Sequence, residues 1–317
     1  MSDSVRPSER IRKNMENSES KRKVKIITDS CSDLTPELME RYDIDYARMN
    51  TVRDGVVSPA LLSWSNEEVH EFYEAMRSGC RITTTQVPVD EFHSLFEKYI
   101  NEGCDIVYIG CSTKQSGSVN TAHVVAKKLT DEHPEATIHA IDSLNACIGE
   151  GMLAIEASKL SRQGLCADEI ADRITKMRKN VNEYCTVHSL DALRRAGRVK
   201  GSAAFFGNLM GVKPIIIADL EGAQAAYKKV KGRQNSLCEI VSLLKESIID
   251  PEEQTIYVAH SDCKEEEYTK ICELIKSEIG CKEVYTCYIG PIIGASVGPD
   301  AISVFGFGKS VTFNAEV

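Results

Sequence analysis

The sequence predicts an α/β protein of two domains. Residues 24–180 read as a three-layer α/β/α domain with a mainly parallel sheet, and residues 181–317 as an α/β domain with a mixed sheet. Three observations carry this. Short apolar runs alternate with amphipathic helical stretches up to about residue 180, the pattern of βαβ units. Beyond that point strands begin to follow one another directly, with a turn signal between two of them. The chain has 317 residues, enough for two domains of about 150.

In order along the chain, Val24–Thr28 is an apolar run that reads as a buried strand ending in Asp29-Ser30. Thr35-Pro36 is a helix start, with Thr as N-cap and Pro in the first turn. Tyr46–Val52 and Val56-Val57 read as strands around the hairpin turn Asp54-Gly55. Ser65–Glu68 is a capping box for a helix to about Ser78, and Thr83–Gln86 reads as a loop before the next helix. That helix buries Phe92, Leu95, Phe96 and Tyr99 at i, i+3, i+4 and i+7. Asp105–Ile109 and Ala136–Ile141 are further buried strands, with helices at about 118–130, 147–162 and 167–179.

In the second half, Cys185–Ser189, Ile215–Ala218 and Ala223–Val230 read as strands, the last two joined at Glu221-Gly222. Helices at about 235–249 and 264–278 flank the strand Thr255–Ala259, and Val284–Ile289 and Ala301–Phe307 close the sheet. Residues 1–23 are polar, with seven basic and four acidic residues, and read as a disordered tail without the apolar stretch of a signal peptide.

The tail carries +3 and the rest −12, for a net −9. A net acidic chain with one Trp argues against nucleic acid as a partner, since phosphate binding needs a basic face. No apolar run approaches the ~18 residues of a membrane span. A cytoplasmic protein with at most transient membrane contact is expected. The twelve cysteines include no C-x-x-C pair, which leaves no zinc-ribbon or thioredoxin-type signal. Reduced thiols acting as small hydrophobes are the expectation.

Ligands of open parallel sheets bind beyond the carboxyl ends of the strands. Three such ends are hydroxyl-rich: Thr28-Asp29-Ser30, the run Gly110–Ser118, and Asp142-Ser143. Ser116-Gly117-Ser118 falls at a helix N-terminus, suited to an anion such as a carboxylate or phosphate, or to plain capping. Arg198, beside Gly197, is placed either to reach an anion or to offset a helix dipole. Gly290, Gly294 and Gly298, four apart, form either a loop of close backbone approach or a tight structural turn.

Other motifs fail. Gly149–Ala154 matches G-x-G-x-x-[GA] but lies too far behind its strand for a dinucleotide fingerprint, so close helix packing explains it better. Gly308-Lys309-Ser310 lacks the first Gly and the helix of a P-loop. The seven histidines show no metal spacing, although His260 ends a strand and is retained as a candidate. No catalytic, cofactor or metal residue is assigned.

Taken together, seven segments resemble the DegV family: residues 27–38, 84–92, 112–122, 141–154, 190–199, 207–216 and 289–299. The resemblance implies a two-domain architecture with a long-chain fatty acid bound between the domains. It implies a carrier without catalysis, which presents the carboxylate to a separate fatty acid kinase subunit for acyl phosphate formation in phospholipid metabolism. By the family's motifs, Thr84, Ser116 and Arg198 hold the carboxylate, with Ser296 where the family commonly has His. Ser30, Thr85, Gly117, Ser118 and Gly294 stand in the loops expected to support the head group. Ala196 replaces a family Gly, and Val87-Pro88 replaces Pro-Ser. Ser296 donates a hydrogen bond but carries no charge, which alters the head-group site. A lipid-sensing regulator, or a nucleotide-dependent enzyme or hydrolase using the strand-end hydroxyls, are the competing readings.

Overall fold

The computed structural model describes residues 22–201 and 211–315. The tail up to residue 21, residues 202–210 within the run expected to follow Lys200, and the last two residues lie outside the described residues. Strand β1 (Lys23–Asp29) begins one residue before the expected domain start. Just ahead of it, Arg22 donates to Asp105 at 3.1 Å.

β1 pairs in parallel with β2 (Ile44–Ala47) and β6 (Cys104–Gly110), and β6 with β7 (Ile138–Asp142). The order is β2-β1-β6-β7. Helix α1 (Pro36–Tyr42) starts as its sequence directs, the Thr35 hydroxyl accepting from the Leu38 amide, and stops at Asp43 in the left-handed region. A small antiparallel sheet follows, ordered β4-β3-β5, from β3 (Asn50–Arg53), β4 (Val56–Pro59) and β5 (Ile82–Thr85). Asp54 and Gly55 both have positive φ (50° and 79°), as a two-residue type I′ hairpin requires. The capping box of α2 (Asn66–Arg77) is complete, with Ser65 and Glu68 each accepting the other's backbone N–H.

Two expectations change here. Tyr46–Val52 is not one strand: the chain leaves the parallel sheet after Ala47, opposite Asp29, and restarts at Asn50 in the small sheet. Thr83–Thr85 is strand rather than loop, because β3, thirty residues earlier, supplies its ladder.

Helices α3 (Val89–Asn101) and α4 (Ser118–Glu132) cover one face of the parallel sheet. Their core centres on Phe92, Phe96, Tyr108 and Leu129, with Phe92 edge-on to Tyr108 at 5.0 Å. Helices α5 (Ile148–Arg162) and α6 (Ala167–Met177) cover the other face. α5 is buried continuously from Ile148 to Ile155 and turns only its later residues, such as Lys159 and Arg162, to solvent. It packs on β1, β2 and β6 and also on β8 (Val181–Thr186) and β13 (Ile302–Phe307). Its glycines permit this approach: a Cβ at Gly151 would stand 2.7 Å from the Ser32 carbonyl, and one at Gly149 3.2 Å from Phe305. The G-x-G pattern thus serves helix packing.

The remaining strands are β9 (Val212–Ala218), β10 (Gln224–Lys231), β11 (Thr255–His260) and β12 (Glu283–Tyr288). They form, with β8 and β13, a mixed sheet ordered β10-β9-β8-β13-β11-β12, parallel only at β11–β12. Helices α8 (Arg233–Ser247) and α9 (Glu265–Glu278) bury Leu237, Ile240, Leu244 and Ile271 behind it. Two short helices lie in the connections, α7 (Asp191–Ala196), closed by Gly197 at φ 68°, and α10 (Pro291–Val297). α10 replaces the loop expected over 290–299. Pro291 opens it, and Gly294 lets it lie against Tyr73, whose hydroxyl donates to the Ile289 carbonyl at 2.6 Å.

The fold is therefore mixed α/β, with a parallel sheet and a mixed sheet facing each other across α5. Among the described residues no helix is long and apolar enough to cross a membrane. All twelve cysteines are free thiols.

Candidate functional site

A cavity of about 140 Å3 lies between the two sheets. Its walls come from the β6–α4 turn, the end of β5, α7 and its C-terminal turn, α10, and the inner faces of β8, β9, β10 and β13. Apolar lining is supplied by Met49, Leu193, Ile216, Ile289, Ile292 and Ile293, and by the thiols of Cys31, Cys111, Cys147 and Cys185. Burial is the main force that pushes the Cys147 and Cys185 thiols up, the latter to about 12. The Cys31 thiol is raised by its hydrogen bond to Cys111 and by burial, and Cys111 is raised by burial against that bond. At neutral pH these sulfurs are protonated and behave as apolar wall.

The cavity opens into an outer groove of about 580 Å3, lined in part by Arg81, Arg195, Ala295 and Pro299. Thr84, Arg198 and Ser296 line both, so they stand at the mouth. β5 presents Thr84 opposite Thr51, and α10 presents Ser296 in its last turn. Among the described residues neither hydroxyl has a hydrogen-bond partner. The Arg198 guanidinium donates to the Gln115 carbonyl at 3.0 Å and to the Ala196 carbonyl, and among the described residues it has no carboxylate partner. Ser116 and Gly117 line the cavity at the start of α4, and the Ser116 hydroxyl accepts from the Ser118 amide at 3.2 Å. Among the described residues the mouth thus collects two hydroxyls without partners, a helix N-terminus and a guanidinium without a carboxylate, a set suited to a carboxylate.

The other expected residues support rather than face the cavity. Ser30 is fully buried, donating to the Ala60 carbonyl (2.7 Å) and accepting from the Met49 amide (3.0 Å). Thr85 points away from Thr84, as strand alternation demands, and accepts from Asn50. The Ser118 hydroxyl accepts from the Val87 amide and bonds Ser116. Gly294 sits inside α10, where a Cβ would strike the Tyr73 hydroxyl. The strand-end acid Asp142 accepts from Thr113 and from the Leu144 amide, so that end is consumed by its own turn. Lys200 is paired with Asp219 at 3.4 Å. His260 stacks on Tyr268 at 4.3 Å away from the cavity, and burial lowers its pKa to about 4.

Several lining residues were not singled out from the sequence. Gln115 donates to the Gly222 carbonyl (3.1 Å), tying the β6–α4 turn to the β9–β10 hairpin. Gln86 stands beside Gly117 and donates to Thr121 at 2.8 Å. Glu183, Gln224 and Ser303 put polar groups on the strand wall. The signal for Glu183 is a break in alternation, because Val181, Cys185 and Val187 share its face.

A family model described as an uncharacterised protein of the DegV family matches residues 23–309. The chain belongs to the DegV family. It is 33% identical over 289 residues to a DegV domain-containing protein of Clostridium perfringens, covering 91% of this chain and 99% of that one. Among solved DegV structures, it resembles DegV of Bacillus subtilis, a fatty acid binding protein, at a TM-score of 0.78 and 25% identity. That match covers 91% of this chain and all of the other. A stearic-acid-binding protein of Eubacterium ventriosum shares the fold at a TM-score of 0.79 and 21% identity, over 90% of this chain and 98% of its own. In this DegV-family chain Thr84, Ser116, Arg198 and Ser296, the residues expected from the sequence, all line one cavity.

Proposed function

We propose that this protein is a non-catalytic carrier that binds a long-chain fatty acid in the cavity between the two sheets. Thr84, Ser116, Arg198 and Ser296 receive the carboxylate. The observation that carries this is the pairing of a largely apolar interior with a mouth where, among the described residues, the Thr84 and Ser296 hydroxyls have no partner and Arg198 has no carboxylate. Each buried CH2 contributes about 0.8 kcal/mol, so the alkyl chain supplies most of the affinity. The hydroxyls and Arg198 fix which end stays at the mouth. The Bacillus subtilis relative, itself a fatty acid binding protein, supports the same ligand class.

We further propose that the carboxylate is presented to a fatty acid kinase subunit, which makes the acyl phosphate. The outer groove, with Arg81 and Arg195 beside the mouth, supports this reading, since a phosphoryl donor needs cationic surroundings. Residues 24–180 and 181–317 are proposed as two domains, with the cavity at their seam and no further cofactor required.

Organic extraction of the purified protein, followed by mass spectrometry, is expected to yield one fatty acid per chain. Recovery of no lipid, with no rise in melting temperature on adding fatty acids, overturns the carrier reading. If lipid binds but no kinase subunit with ATP converts it to acyl phosphate, a lipid sensor remains.

A further inference from the structure

The strand wall of the cavity contains a feature that a plain alkyl chain does not need. β8 turns Val181, Glu183, Cys185 and Val187 toward the shared core, and Glu183 occupies a position that alternation reserves for an apolar residue. Across the sheet, Glu183 faces Phe305 and Cys185 faces Ser303 on β13. Gln224 opens β10 opposite Ala218. The Gln224 amide donates to Glu183 Oε2 at 2.9 Å, and among the described residues this is the only partner of that carboxyl. Glu183, Gln224 and Ser303 are all buried, and all three line the cavity. The strand wall therefore presents a carboxyl oxygen, an amide and a hydroxyl, the last bonded to the Cys185 thiol, beside Ile216, Ile289 and the cavity's thiols.

We propose that Glu183, Gln224 and Ser303 form a second polar station that selects a fatty acid bearing a hydroxyl group along its chain. This rests on the fatty-acid reading and deepens it by naming the substrate class. The chemistry of the station narrows the choice. Burial holds Glu183 up at about 7, and among the described residues no cation pairs with it, so around neutral pH the neutral acid makes up about half of the population, with one O–H donor and spare acceptor capacity. An anion would lack a countercharge there, and the mouth already provides one for the carboxylate. A cation would find no full countercharge on a carboxyl that is about half protonated, and would be repelled by Arg198 at the entrance. A hydroxyl both donates and accepts, carries no charge, and matches the three groups. A bare methylene segment in the same place leaves them facing hydrocarbon, which costs affinity.

The test is a calorimetric titration of the delipidated full chain with stearic acid and with a series of hydroxystearic acids whose hydroxyl moves along the chain. Hydroxyls at one or two neighbouring positions are expected to bind roughly tenfold tighter than stearic acid, the worth of one or two buried hydrogen bonds. Glu183→Leu should abolish that preference and tighten stearic acid, whereas Glu183→Gln keeps most of it. Should Glu183→Leu fail to fold, Gln224→Met and Ser303→Ala carry the same comparison. Stearic acid binding with no preference at any position, or a preference unchanged by these variants, overturns the station and leaves the carrier intact. Failure of stearic acid and the whole series to bind overturns both.

Discussion

The two walls of the cavity handle polar groups in opposite ways. At the mouth, short elements and turns hold Thr84, Arg198 and Ser296 half-buried or exposed, with hydrogen-bonding capacity left over. On the strand wall, Glu183, Gln224 and Ser303 are buried in a continuous sheet, Gln224 bonding Glu183 and Ser303 bonding Cys185. The mouth can be altered without touching the core, because its donors stand at the ends of elements. The strand wall cannot, since its side chains share a face with the residues that clamp α5.

The sharpest way to break this comparison is to cut the strand wall where nothing polar is at stake. Phe305 is fully buried opposite Glu183 and packs against α5 near Gly149. Phe305→Ala is expected to cost about 3–5 kcal/mol of unfolding free energy, read by urea denaturation. A cost under 1 kcal/mol would mean that the two sheets are not clamped through α5.

The next effect comes from pH. The Glu183 carboxyl has an ordinary value of 4.5 when solvated and about 7 in the fold, because burial outweighs the Gln224 hydrogen bond. Between those values the folded chain holds a proton that the unfolded chain has released, so stability falls as pH rises. Its share is full below 4.5 and lost above about 7, on the order of 3 kcal/mol. Asp33, raised by burial to about 8, adds a loss in the same direction that extends slightly higher. Denaturation at pH 5 and pH 8 should show Glu183→Gln removing its own share of this slope while leaving the larger share of Asp33, Asp29 and Glu150, all raised by burial. An unchanged slope places the titration elsewhere.

The mouth should behave in the reverse manner. Thr84→Ala combined with Ser116→Ala is expected to weaken fatty-acid binding ten- to a hundredfold, from loss of two hydrogen bonds to a charged group, with stability changed by less than about 1 kcal/mol. Equal affinity in the double variant removes both residues from the site. The smallest effect is assigned to Ser296→Ala, a few-fold in affinity, since one neutral donor at an open rim competes with water.

The local signals in the sequence correspond closely to structure. Thr35 and Ser65 cap their helices, Asp54-Gly55 turns its hairpin, and the glycines of Gly149–Ala154 serve close helix packing. What escaped reading depends on distant partners. β5 is a threonine-rich segment with no apolar stripe, and only β3 makes it a strand. α10 carries a glycine that ordinarily disfavours helix, and its packing on Tyr73 outweighs the cost. Of the mouth residues, Ser116 was legible as a hydroxyl at a helix start and Arg198 as a cation beside Gly197, whereas Thr84 and Ser296 came only from the resemblance to the DegV family. Glu183 and Gln224 were not legible, because a polar residue in a strand acquires meaning only when the face it occupies is known.

The central claim is that a carboxylate at the mouth orients an acyl chain inside. Titration of the delipidated protein with stearic acid and with its methyl ester, side by side, tests this most directly. The two share the alkyl chain and differ in the group that Thr84, Ser116 and Arg198 are proposed to hold. Saturable binding of stearic acid at one per chain, with the ester at least tenfold weaker, is the predicted result. Equal binding of acid and ester, or binding of neither, contradicts the account.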